Sequence, residues 1–192
     1  ACMNLLASFD ELARGKVIDE DRNFQWRVAR KPAGELSPAD FEWQTSDIPE
    51  PGPGQVLLKT HYLGLAPVMR MYMQGTGAAG EAALKPGDVI HGRGVAQIVR
   101  SRHPDWAEGQ MVQGQMGWQT YKASAMSAQE KMFKVPQQGV PAMLSCKTLS
   151  MTGLSAHAGL FACGKPRSGE TLVLSGAAGG VGSIVSPLAA NV

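Results

Sequence analysis

The sequence predicts a mainly β N-terminal domain, a small barrel or sandwich, followed by the first strand–turn–helix unit of an α/β domain. Three observations predict it. Short apolar segments bounded by Gly and Pro recur from about Phe24 to Val135, as they do in small barrels and sandwiches. At Val140 the pattern changes to apolar residues at helical spacing. The last stretch, LVLSGAAGGVGSIVSPLAANV, reads as an apolar strand, a glycine turn and the start of a helix.

Each element follows in order. Residues 1–22 read as a leader, a short helix or a disordered segment, with a weakly amphipathic pattern unlike a secretory signal. FQWRVA alternates, with Trp26 and Val28 on one face, and FEWQT repeats the idea. PEPGPGQVLLKTHYLGL opens on a rigid turn, because Pro fixes φ and Gly permits positive φ. The apolar run after it is a candidate central strand. LKPGDVIHGRGVAQIV and WAEGQMVQGQM each place a Gly turn before a β-branched strand, and Gly77–Gly87 reads as a loop. PAMLSCKTLSMTGLSAHAGLFACG predicts a short helix near Pro141 and a longer one over Ser150–Ala162, ended by Gly164 and Pro166. Leu172, Val173 and Leu174 show no polar alternation, as in a strand covered on both faces.

Composition excludes several classes of function. A net charge of +2 without any Lys/Arg run gives no nucleic-acid or polybasic membrane surface. No stretch approaches the ~20 apolar residues of a membrane span. Cys2, Cys146 and Cys163 are widely spaced, with no C-x-x-C pair, so reduced thiols in a cytoplasmic protein are expected. Cys146 has no neighbouring His in sequence and reads as buried. Trp26, Trp43, Trp106 and Trp118 are spread out and read as core rather than as a stacking platform. No Ser/His/Asp or Cys/His arrangement stands out.

The glycine turn carries the chemistry. Gly176, Gly179 and Gly182 give G-x-x-G-x-x-G between a strand and a helix. A helix N-terminus offers unpaired N–H groups and partial positive charge to a phosphate. Glycines allow a tight turn and close backbone approach to a diphosphate, and Ala177 and Ala178 are small enough to keep that approach open. The competing reading is a tight turn with no ligand. Pro187, inside the expected helix, removes an N–H and predicts a kink or a frayed end.

Taken together, these segments resemble the zinc-independent branch of the medium-chain dehydrogenase/reductase superfamily, and within it the leukotriene B4 dehydrogenase, or prostaglandin and alkenal reductase, group. NFQWRVARKPAGELSPADFEW, PEPGPGQVLLKTHYLGLAPVMRMYM, GRGVAQIVRSRHPDWAEGQMVQGQMGWQTY and SMTGLSAHAGLFACGKPRSGETLVLSGAAGGVGSIV carry the likeness. It runs from about Asn23 to Val185. The resemblance implies a GroES-like barrel over 23–145, then over 146–192 a connecting helix and the truncated start of a Rossmann domain that binds NADPH. It implies reduction of the C=C bond of an α,β-unsaturated aldehyde or ketone. It also implies homodimers, often through a sheet that this chain does not contain.

Site residues carry over one by one. The family's glycine turn falls on Gly176, Ala177, Ala178, Gly179, Gly180, Val181 and Gly182. Residues near the nicotinamide carboxamide fall on Met151 and Ser155, which otherwise read as ordinary helix residues, and the Met-Arg loop, as a substrate contact, falls on Met69 and Arg70. Arg70 binds substrate or phosphate, or anchors its loop in an ion pair; both readings stand. No catalytic residue is assigned: Tyr62, Tyr72 and Tyr121 are possible proton donors on chemistry alone, and Tyr72, close after Arg70, is the best of them. Zinc is not expected: three cysteines cannot make a four-cysteine site, and His61, His91, His103 and His157 lack ligand spacing. His91-Gly92-Arg93 stands where zinc-dependent relatives carry Gly-His-Glu.

The chain departs from the group at Ala66, Val68 and His157, where the group has Asp, Tyr and Tyr. The group's 2′-phosphate reader, catalytic tyrosine and remaining sheet have no counterpart here, so residues 1–192 alone are expected to lack reductase turnover. Without those neighbours, Leu172, Val173, Leu174, Ile184 and Val185 are expected to be exposed. A quinone oxidoreductase of the same superfamily is the alternative enzyme. A non-catalytic, truncated barrel module is the alternative of another class.

Overall fold

The computed structural model describes residues 2–4, 21–77, 81–136, 139 and 141–192. Its β strands are β1 (Cys2–Asn4), β2 (Arg22–Val28), β3 (Phe41–Asp47), β4 (Val56–Gly64), β5 (Arg93–Ser101), β6 (Met111–Gln115), β7 (Tyr121–Ser124) and β8 (Phe133–Lys134). The expected central strand is β4. One of its edges pairs with β5, and the other is shared by β7, along Val56–Lys59, and β1, along Tyr62–Gly64. From β5 the sheet continues through β6 to β8, and all these pairings are antiparallel.

A second sheet pairs β2 with β3, Arg22 opposite Asp47 through Val28 opposite Phe41. It joins the rest through isolated bridges, Gln25 to Gln119 and Arg27 to Val89. Trp26 N–H donates to the Trp118 carbonyl at 2.8 Å, and Ile90 N–H donates to the Trp26 carbonyl at 3.0 Å. Among the described residues the strands form two antiparallel sheets whose order does not close into a ring.

Alternation along the strands builds the core. Val56 and Leu58 of β4 meet Ala96 and Ile98 of β5, Val112 of β6 and Met116, all fully buried. Each of the larger side chains, Ala96 aside, contributes about 1.5–3 kcal/mol of burial. A second cluster holds Val28, Tyr72, Met73, Leu84 and Ile90. Trp26, Trp43 and Trp118, far apart in sequence, gather against Leu63, and Trp26 meets Trp43 edge-on at 4.9 Å. Trp106 packs instead against the first cluster, with the Lys134 ammonium 5.1 Å from its ring centroid.

Several expectations need correction. The Met-Arg loop is helical: Pro67 opens α1 (Val68–Met73), where its missing N–H costs nothing. In the leader, Cys2–Asn4 is a strand rather than a helix, and residues 5–20 lie outside those described. Of the loop Gly77–Gly87, residues 78–80 also lie outside. Cys146 is half-buried rather than buried.

The C-terminal region is helical as expected up to Gly164. A 3-10 turn (Ala142–Cys146) leads to α2 (Met151–His157), which runs on as a π-helical stretch (Ala158–Gly164). Lys165 stops it in the left-handed region at φ 50°. Ala156 and Leu160 pack against Ile184 and Val185 of α3 (Gly182–Ala189). Ile184 and Val185 are therefore buried, not exposed. α3 runs through Pro187, and Ala190 N–H still donates to the Ser186 carbonyl at 3.2 Å. Leu172, Val173 and Leu174 do not form the expected covered strand; Val173 is 90% exposed. A parallel strand needs hydrogen-bonded neighbours and covered faces, and no described strand lies beside this segment. No helix among the described residues is long and apolar enough to cross a membrane.

One buried carboxylate gives a pH prediction. Asp40 accepts from Arg30 Nε at 2.8 Å and from Ser37 N–H at 2.8 Å. The Arg30 hydrogen bond, then the Ser37 N–H, hold its carboxyl below the ordinary aspartate range. A depressed folded-state pKa stabilises above the unfolded value and is lost as pH falls through the folded value. Asp40→Asn should therefore flatten the fall of Tm below about pH 4 relative to the wild type. Parallel acid limbs in a Tm-against-pH series would remove the assignment.

Candidate dinucleotide site

The turn between Ser175 and α3 has a separate reason for each of its three spaced glycines, and all three converge on one carbonyl. Gly176 sits at φ 62°, a conformation that costs other residues about 1–2 kcal/mol. Its carbonyl accepts from Gly179 N–H at 2.9 Å, closing the turn. A Cβ on Gly179 would stand 3.1 Å from that same oxygen. A Cβ on Gly182 would run into it, and would also meet Ala177 Cα at 2.8 Å. The motif is thus the sequence record of a backbone folded back onto the Gly176 carbonyl.

What this leaves outward is polar and open. Ala177, Ala178, Gly180 and Val181 are all exposed. Their amides make no backbone hydrogen bond among the described residues. The α3 N-terminus lies directly behind them and adds its partial positive charge. Small residues, free N–H donors and a helix start fit the demands of a dinucleotide diphosphate.

Met151 and Ser155 come to the same unit because α2 packs on α3. Both are exposed on α2, Met151 at 74%. Ser155 Oγ donates to the Met151 carbonyl at 2.8 Å, so its lone pairs are what it offers outward. The sequence did not single out Thr152, one residue after Met151. It lies against Gly180, and no pattern in the sequence marks it.

The other predicted residues form a different group. α1 packs into the sheet core beside Val28, Leu84 and Ile90, with Met69 and Tyr72 buried and Arg70 exposed. Arg70 donates from Nη2 to the Gly34 carbonyl. That bond gives it an anchoring role, made through a backbone oxygen. Tyr72 stands edge-on to His91, with centroids 5.3 Å apart. Burial, then the Glu81 charge, pushes its phenol pKa up, so it stays protonated through the neutral range.

His91 is engaged structurally, its Nε2 3.1 Å from the Ala82 carbonyl. Beside it Arg93 pairs with Glu81 at 3.3 Å. Gly92 N–H donates to Gln115 Oε1 at 2.6 Å. Among the described residues no three His, Cys, Asp or Glu side chains gather as a metal site would require.

Residues 24–135 match the family described as the N-terminal domain of oxidoreductase. NADPH-dependent curcumin reductase of Escherichia coli (strain K12) is 38% identical over 173 residues, 88% of this chain and 48% of that protein. Prostaglandin reductase 1 of Oryctolagus cuniculus is 32% identical over 164 residues, 85% of this chain and 45% of that protein. The crystal structure of CurA from Vibrio vulnificus in complex with NADPH superposes with a TM-score of 0.73 at 31% identity, over 88% of this chain and 49% of that one. The chain spans about half the length of the curated relatives it matches. It belongs to the zinc-independent medium-chain dehydrogenase/reductase superfamily, in the group that includes the prostaglandin reductases.

Proposed function

We propose that this chain is the GroES-like barrel, residues 23–145, and the start of the Rossmann domain, residues 146–192, of an NADPH-dependent reductase. Its substrate is an α,β-unsaturated aldehyde or ketone, whose C=C bond it reduces. The observation that carries the reading is the convergence of Gly176, Gly179 and Gly182 on one carbonyl, which leaves the intervening amides free. Relatives that use NADPH support the choice of cofactor.

The amides of Ala177, Ala178, Gly180 and Val181 hold the diphosphate, with the α3 N-terminus behind them. Ser155 Oγ, its proton committed to the Met151 carbonyl, accepts from the carboxamide N–H₂. When bound, NADPH supplies the hydride that reduces the β-carbon. The likeness to the family would put Met69 and Arg70 on the substrate side, with Arg70 anchoring α1 to the Gly34 carbonyl. Tyr72, the best of the tyrosine candidates, would deliver the proton to the α-carbon. These roles need no metal.

The test is a titration of the 192-residue chain with NADPH, followed by nicotinamide fluorescence, with and without a chelator. Saturable micromolar binding, unchanged by the chelator, is the expected result. No binding by a chain that is still folded by circular dichroism would favour the non-catalytic barrel module. About half the relatives' length lies outside this chain, so turnover of an enone by these residues alone is expected to be unmeasurable. In the whole enzyme, competition between an enone and a quinone separates the enone reductase from the quinone oxidoreductase.

A further inference from the structure

The glycine turn does not stand alone; it leans on α2 at one point. A Cβ built on Gly180 would come 3.3 Å from Thr152 Cγ2, closer than an ordinary contact, so the threonine methyl crowds the space a side chain at 180 would take. Gly180 φ lies outside the left-handed region, so the backbone there tolerates an L-residue. Gly180 is crowded by its neighbour rather than constrained by its own conformation.

The base of α2 is a rigid platform for that methyl. Ser150 Oγ accepts from Thr152 N–H at 3.3 Å and donates to the Lys147 carbonyl at 2.7 Å. Next to Thr152, Gly153 lacks the Cβ that would run into the Thr148 carbonyl, with Thr148 C at 2.6 Å. The start of α2 is therefore pinned from both sides. Behind it, Ala156 and Leu160 dock on Ile184 and Val185. The turn is fixed at its α3 end by that packing, and at Gly180 by Thr152.

We propose that Thr152 is a positioning residue: its methyl braces Gly180 so that the turn's amides stay aimed at the dinucleotide diphosphate. This rests on the reading of the turn as the NADPH site. Thr152→Ser removes the methyl and keeps the hydroxyl. It should raise the Kd for NADPH about ten-fold, the equivalent of one amide–phosphate hydrogen bond. Thr152→Val keeps the methyl and should bind as the wild type does. Gly180→Ala alone should weaken binding by displacing the turn, and adding Thr152→Ser should restore most of the loss, because the new Cβ takes the vacated space.

Near-wild-type binding by Thr152→Ser, or a double variant worse than either single one, would overturn the brace. A wild-type chain that binds no NADPH would sink the cofactor reading instead. The brace is then decided by amide hydrogen exchange over Gly179–Gly182. Faster exchange in Thr152→Ser than in Thr152→Val supports it, and identical exchange in both overturns it.

Discussion

Gly182→Ala is expected to abolish measurable NADPH binding while the β domain stays folded. The new methyl would run into the Gly176 carbonyl and come within 2.8 Å of Ala177 Cα. Both obstacles are backbone, so neither can turn aside as a side chain could. Relief requires the turn to open, which separates Gly179 N–H from the Gly176 carbonyl, now 2.9 Å away. The amides of Ala177, Ala178, Gly180 and Val181 are then displaced with the turn that carries them. Two lost charge-assisted hydrogen bonds already amount to about 3 kcal/mol, or a hundred-fold in Kd. Gly179→Ala meets the same oxygen at 3.1 Å and should cost less, on the order of ten-fold. The measurement is a fluorescence titration of each variant, with far-UV circular dichroism and Tm as controls. Binding by Gly182→Ala within two-fold of the wild type would mean that this turn is not the cradle.

The same geometry shows what the sequence could disclose. The spacing of Gly176, Gly179 and Gly182 was legible because each glycine answers a backbone constraint, and such constraints leave a fixed residue type behind. The strands β4, β5 and β6 were legible through their Gly/Pro turns and β-branched runs, which are local signals. Leu172–Leu174 misled for a physical reason: an apolar run states what a strand would bury, and pairing depends on neighbours elsewhere. Ile184 and Val185 misled in the opposite direction, since their partners, Ala156 and Leu160, lie on a helix more than twenty residues upstream. α1 was hidden because Val68–Met73 is too short for a periodic pattern, and only Pro67 marks its start. The gathering of Trp26, Trp43 and Trp118 depends on β2 meeting residues of another sheet, which no local pattern encodes. Thr152 was invisible because its role lies in one methyl group and the glycine it faces.

Gly94→Ala should be the most damaging single-methyl addition in the β domain, lowering stability by about 3 kcal/mol and Tm by roughly 10 °C. Gly94 lies on β5 opposite Leu63, next to the irregularity in β4 between Thr60 and Tyr62. There the two strands crowd, and a Cβ on Gly94 would run into the Tyr62 carbonyl oxygen. It would also reach Met116 Cγ at 3.3 Å, and Met116 is fully buried. Gly92 and Gly64 make the comparison informative. At Gly92 the obstacles are side chains, Leu63 Cδ1 at 2.6 Å and Trp118 Cδ1 at 2.8 Å, which can rotate at a smaller cost. At Gly64 the nearest atom is the Arg93 carbonyl at 3.4 Å, an ordinary contact. Losses should therefore rank Gly94→Ala above Gly92→Ala above Gly64→Ala, the last staying within about 1 kcal/mol. Intrinsic propensity argues the other way, because replacing a strand glycine with alanine reduces the entropy lost on folding. A Gly94→Ala protein as stable as the wild type would thus show β4 and β5 able to separate at Tyr62. The close approach would then be incidental to the fold, and the irregularity in β4 would need another cause.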